Sequence, residues 1–257
     1  MWPTSSKRGG VSVEKAFISD AGMVRTHNED AVTIIENKMG EIMMMVADGM
    51  GGHRAGEIAS GIAVSHLSER FESLSSIGSK LDAINWLDEN VNIINSEIIK
   101  YANDNPECMG MGTTLVLAIL TKDYLIFGNI GDSSGYVIKN GKLHKVTKDH
   151  TLVNVLVEAG DLTVEEAMNH PKKNVLMKAL GVAPIADMDK FTVDSPVDGI
   201  FLCSDGLTNM LSDTQVENIL NDNALKIDVK LAKLIRKCNS RGGTDNISIA
   251  YLVKESK

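Results

Sequence analysis

Cysteine is scarce in this chain of 257 residues: Cys108, Cys203 and Cys238 are odd in number, and no two stand at CxxC spacing. That excludes a disulfide framework and a cysteine zinc site, and it makes a reducing cytoplasm the expected compartment. Aromatic residues are thin as well, at 4%, so the core has to be built from aliphatic side chains and the 13 methionines. Only 5 prolines occur and no Pro/Ser-rich linker interrupts the chain, which predicts one large domain. No run of 18 apolar residues is present, and the polar segment Met1 to Gly10 lacks the apolar stretch of an export signal. Neither a membrane span nor export is expected. Basic charge is in deficit too. With 26 Lys and Arg against 34 Asp and Glu the net charge is -8, the wrong sign for a general nucleic-acid or anionic-membrane surface. The surplus carboxylates are available to serve metals.

What is present is 43% apolar residues, enough for a sizeable core over residues 11–257, with residues 1–10 read as a disordered or appended tail. Ile58, Ile62, Ala63, Leu67 and Phe71 recur at helical spacing and predict a helix over Gly56–Phe71. Ile84, Leu87, Val91, Ile94 and Ile98 predict a second over Leu81–Tyr101, with Pro106 as its stop signal. Thr163 with Glu166 and Ser212 with Gln215 have the pattern of capping boxes. Arg241-Gly242-Gly243 ends a helix bearing Leu231, Leu234, Ile235 and Cys238. Short branched runs predict strands at Met43–Ala47, Thr114–Leu120, Tyr124–Ile130, Gly135–Ile138, Ile200–Cys203 and Ile247–Val253, and Asn140-Gly141 makes a hairpin turn leading to Leu143. Strands grouped apart from helices give an α+β fold, and the number of strands with their antiparallel turn chemistry favours two packed sheets with helices outside.

Carboxylates recur at the ends of these runs. Ile42 to Ala47 leads into Asp48-Gly49, Ile200 to Ser204 into Asp205-Gly206, and Tyr124 to Ile130 into Gly131-Asp132, while Asp245-Asn246 precedes Ile247. Any one Asp-Gly after a strand is equally well a turn. Four such aspartates around one core repel one another unless a cation lies between them, and all-oxygen donors select a hard divalent ion. The glycine after Asp48 and after Asp205 leaves backbone unshielded, so that a carbonyl can approach such an ion. Met50-Gly51-Gly52-His53 then forms a flexible loop against a helix start, open to an anion such as phosphate.

An ordered set of motifs resembles the PP2C, or PPM, class of metal-dependent protein Ser/Thr phosphatases in its bacterial single-domain form. It comprises Ser19-Asp20-Ala21-Gly22, Arg25 with Asn28-Glu29-Asp30, Val46-Ala47-Asp48-Gly49-Met50-Gly51-Gly52-His53, Gly112-Thr113-Thr114, Asn129 with Gly131-Asp132-Ser133, Thr147-Lys148-Asp149-His150, His170-Pro171, Ala179-Leu180-Gly181, Ser204-Asp205-Gly206-Leu207 and Gly243-Thr244-Asp245-Asn246. These matches run from about Ser19 to Val253, nearly the whole chain. The resemblance implies a central β-sandwich of two antiparallel sheets flanked by antiparallel helix pairs, and hydrolysis of phosphoserine and phosphothreonine by a water activated between two Mn2+ or Mg2+ ions. It implies that Asp48 bridges both ions, that the Gly49 carbonyl completes one site, that Asp205 and Asp245 hold the other, and that Asp132 takes a third ion with Asp205. Glu29 and Asp30 would orient metal-bound waters, and Arg25 would grip the phosphate. The expected partners are phosphorylated proteins, namely Ser/Thr kinases and their substrates, met by a monomer. No Cys-x5-Arg loop exists, so no cysteine is expected to be the nucleophile.

Several positions depart from the pattern. Met50 stands where eukaryotic relatives carry a histidine, which leaves His53 as a candidate acid for the leaving oxygen, with loop positioning as its other role and water as the other acid. Ser134 and Lys178 each stand where the family commonly has arginine. Residues 150–181 resemble the family's flap, a variable element beside the cleft. His27, His66 and His144 carry no ligand spacing and are expected on the surface.

Overall fold

The computed structural model describes residues 13–52, 54–194 and 196–254, so the expected tail at residues 1–10 and the candidate acid His53 lie outside the described residues. In chain order the elements are β1 (Val13–Asp20), β2 (Asp30–Glu36), β3 (Ile42–Met50), α1 (Ala55–Ser73), α2 (Lys80–Asp104), β4 (Gly112–Thr113), β5 (Leu115–Leu120), β6 (Leu125–Ile130), β7 (Ser134–Lys139) and β8 (Lys142–Lys145). They continue with α3 (Leu152–Ala159), α4 (Val164–Met168), β9 (Asp189–Val193), β10 (Gly199–Cys203), α5 (Asp205–Thr208), α6 (Asp213–Leu220), α7 (Ile227–Asn239) and β11 (Ile247–Lys254).

One sheet runs β1-β11-β10-β7-β8 and the other β2-β3-β5-β6-β9, with β4 paired to the end of β3; every pairing is antiparallel. Side-chain alternation then sorts each strand between layers. Met44 and Val46 of β3 meet Val137, Ile200, Leu202 and Ala250 in the space between the sheets. Met43, Met45 and Ala47 point the other way, under Ala59, Ala63 and Leu67 of α1 and Leu87, Val91 and Ile94 of α2. On the far side Phe201, Ile249 and Tyr251 lie under Val216 of α6 and Leu231, Leu234 and Ile235 of α7. Both faces of each central strand are buried, so these strands read as unbroken apolar runs. The order of layers is helices, sheet, sheet, helices, as the sequence predicts.

Helix ends follow local chemistry. The Thr163 and Ser212 boxes form, and Ser79 adds another, with Asp82 reaching back to its N–H at 2.8 Å. Past α7 the chain turns through Gly243 at φ 49°, whose N–H returns to the Cys238 carbonyl at 3.1 Å. His66 is not on the surface. Its Nδ1 lies 3.3 Å from Glu97 Oε2 and its Nε2 lies 3.2 Å from Asn90 Oδ1, so it ties α1 to α2. All three cysteines are free and buried, and burial pushes the Cys203 and Cys238 thiols up, away from reactive thiolate.

Candidate active site

The ends of β3, β6 and β10 and the start of β11 meet at one end of the sandwich, and each brings a carboxylate. Asp132 occupies the turn from β6 to β7, Asp205 opens α5 directly after β10, and Asp245 lies two residues before β11. Asp48 differs from expectation. Its strand does not stop at Ala47, because β4 pairs Thr113 with Gly49 and Gly112 with Met50 and so prolongs β3 beyond the aspartate. Asp48 therefore sits within the strand, directly opposite Asp30 of β2, a like-charge pair that destabilises a sheet when both groups are ionised.

Neighbouring groups hold this arrangement. Thr114 Oγ1 accepts from the Asp48 N–H at 3.0 Å, and the Asp48 carbonyl accepts from Thr113 Oγ1 at 3.0 Å and from the Thr114 N–H at 2.9 Å. Ser204 Oγ donates to Asp30 Oδ2 at 2.8 Å, and Asn209 donates to Asp205 Oδ2 at 2.9 Å. Asn246 is the central tie: its Oδ1 accepts from the Glu29 N–H at 2.8 Å, and its amide donates to the Ala21 and His27 carbonyls at 3.0 and 2.9 Å. That fixes the loop between β1 and β2, which carries Arg25, against Asp245. The glycines of both Asp-Gly pairs are required by packing. A Cβ on Gly49 would lie 2.2 Å from the Gly56 carbonyl oxygen, and one on Gly206 would lie 2.0 Å from that of Asn246.

Electrostatics set this cluster apart from ordinary turns. Burial, then the charges of Asp30, Asp205, Asp132 and Asp245, pushes the Asp48 carboxyl well above the usual range. Burial raises Asp30 to about 7 despite bonds from Ser204 and Ser248. Asp132 is also pushed up to about 7, by burial and then by Asp205 and Asp149. Asp205 rises through burial and then Asp245, and Glu29 through burial. Oδ1 of Asp30 and Oδ1 of Asp205 are buried without a hydrogen-bond partner. Clustered oxygen donors with unspent lone pairs and mutual repulsion fit hard divalent cations. Among the described residues no three carboxylate, histidine or cysteine side chains are placed close enough together to hold an ion.

Arg25 is half exposed, and its Nη2 donates to Asp245 Oδ2 at 2.9 Å. It lines an open cleft of about 380 Å3 with Thr26, His27, Glu29, Gly51 and Asn246. A planar cationic fork thus stands over the edge of an anionic pit.

Residues 23–244 match the family model described as protein phosphatase 2C. The chain belongs to the protein phosphatase 2C family. It is 42% identical over 234 residues to the serine/threonine phosphatase stp of Listeria welshimeri, covering 91% of this chain and 92% of that protein. It is 37% identical over 245 residues to protein phosphatase PhpP of Streptococcus pneumoniae, at 93% and 97% coverage. The solved serine/threonine phosphatase of S. agalactiae superposes with a TM-score of 0.89 at 35% identity, over 95% of this chain and 100% of that one. Protein phosphatase 2C enzymes are metal-dependent in general, in keeping with the donor set described above.

Asp48, Asp132, Asp205, Asp245, Glu29, Asp30 and Arg25 thus share one end of the fold. The sequence reading did not assign the ties made by Thr114, Ser204 and Asn246, although all three stand inside its motifs; Asn209 had no signal beyond lying one helical turn after Asp205. Ser134 Oγ is buried and unpartnered, whereas Lys178 bonds Asp187 at 2.6 Å and reaches Asp189 at 3.8 Å.

Proposed function

We propose that this chain removes phosphate from phosphoserine and phosphothreonine in proteins, using two divalent cations, Mn2+ or Mg2+, held by Asp48, the Gly49 carbonyl, Asp205 and Asp245. Asp132 with Asp205 would take a third ion. The observation that carries the reading is the clustered, half-buried set of aspartates, several pushed toward neutrality, beside Arg25. A scaffold gains nothing from such repulsion, whereas cations convert it into binding energy. When bound, the pair supplies Lewis-acid activation of a water and neutralises phosphoryl charge.

The chain's own residues do the rest. Arg25 leaves Asp245 for the phosphate, which presents the same oxygen geometry to its fork. Glu29 and Asp30 accept hydrogen bonds from waters at the site, with Asp30 held by Ser204. The buried cysteines take no part. The substrates are phosphorylated proteins, and the enzyme opposes Ser/Thr kinases as a cytoplasmic monomer. Among the described residues no helix is long and apolar enough to cross a membrane.

Asp205→Asn and Asp245→Asn test the assignment. Each should lower turnover of a phosphothreonine peptide more than about a hundredfold, since loss of even an outer partner of a metal ligand costs up to roughly that much. Circular dichroism should be unchanged. A wild-type rate in either variant would displace the site.

A further inference from the structure

A second cavity, of about 470 Å3, adjoins the phosphate cleft. It is lined by His27, Arg54, Ala55, Ile58, Glu107 and Cys108, and it shares His27 with the cleft. Ala55 and Cys108 are 2% and 4% exposed and form its apolar floor with half-buried Ile58, while His27, Arg54 and Glu107 stand exposed around the rim. None of these residues is used in the chemistry proposed above.

We infer that this cavity receives an aliphatic side chain of the phosphoprotein, within about three residues of the phosphorylated one; the inference rests on the phosphatase reading and deepens it. Continuity sets the distance. His27 is two positions after Arg25, so their Cα atoms are at most about 7 Å apart, the span of two residues of extended peptide. A substrate whose phosphate lies on Arg25 therefore passes the mouth of the cavity.

The lining sets the chemistry. Ala55, Ile58 and Cys108 offer no strong partner to a charged or amide side chain, so a polar group entering would lose water without replacement, and an aliphatic one gains by leaving it. Arg54 is held only loosely, 3.8 Å from Glu57, and with Glu107 can bond the polar backbone of the bound segment. Glu29, Glu57 and Glu107 along this path oppose an acidic flanking residue. Met109, directly after Cys108, and Met23 and Val24, directly before Arg25, are 78%, 68% and 64% exposed, and they continue apolar surface along both loops.

The test is a panel of phosphothreonine peptides in which a Leu or an Asp is walked through three positions on either side of the phosphoresidue, assayed with added Mn2+ beside p-nitrophenyl phosphate. At one position the wild-type enzyme should prefer Leu by at least about tenfold in kcat/KM, the scale at which an apolar pocket discriminates. Ile58→Glu should cut that preference to within about twofold while leaving p-nitrophenyl phosphate turnover within about twofold of wild type. Should Ile58→Glu not fold, Glu107→Lys at the exposed rim should raise kcat/KM for the Asp peptides severalfold. A flat wild-type panel with normal p-nitrophenyl phosphate turnover overturns the subsite and leaves the phosphatase reading standing, as does a preference that survives both substitutions. No hydrolysis of either kind of substrate overturns the phosphatase reading and the subsite with it.

Discussion

Removing one buried charge should stabilise the metal-free protein. Asp132 is raised from 3.8 to about 7 by burial first, then by Asp205 and Asp149. A shift of roughly 3 units at about 1.4 kcal/mol each sets a ceiling near 4 kcal/mol for ionising it in the fold. The sign follows from proton binding. Between about pH 4 and 7 the native state holds a proton that the unfolded chain has lost, so stability falls as pH rises through that window and is flat above it. Asp132→Asn has no such dependence. In urea denaturation with EDTA, the variant should exceed wild type by up to about 4 kcal/mol at pH 8 and by somewhat over a third of that gap at pH 5. A variant less stable than wild type at pH 8, or a gap that ignores pH, would refute the electrostatic reasoning.

Further outcomes follow from contacts at the site and on α1. Arg25→Lys keeps charge but loses the fork, so kcat/KM on a phosphopeptide should fall about tenfold, and Arg25→Ala about a hundredfold, in steady-state assays; unchanged values would remove Arg25 from phosphate binding. Gly206→Ala places a methyl 2.0 Å from the Asn246 carbonyl and should cost about 2 kcal/mol or more in thermal denaturation. Gly61→Ala, on a face of α1 where an added Cβ meets nothing within 4 Å, should instead stabilise by about 0.5 to 1 kcal/mol.

Central strands were legible in the sequence because helices cover one face and the opposite sheet the other, leaving unbroken runs such as Ile42 to Ala47. Apart from the two-residue β4, which pairs with the end of β3, the strands it passed over, β1, β2 and β9, are all at sheet edges. They mix charge with apolar residues, as in VEKAFISD and DKFTV, and half-buried edges carry no clear period. β8, the remaining edge, showed only through its Asn-Gly turn. The same contrast holds at the site. Asp132, Asp205 and Asp245 announce themselves beside apolar runs, whereas the placement of Asp48 inside its strand depends on pairing with the distant Gly112 and Thr113. His66 looked like surface because its partners Asn90 and Glu97 belong to another helix. Glu29, Asp30 and Arg25 have no local pattern of their own and emerged only through the family resemblance.

The central claim is that these carboxylates work by holding divalent cations. Hydrolysis of a phosphothreonine peptide by the wild-type chain, measured in excess EDTA and again after Mn2+ or Mg2+ is restored, tests it most directly. Turnover should vanish with chelator and recover fully with metal. Undiminished hydrolysis in excess EDTA would contradict it.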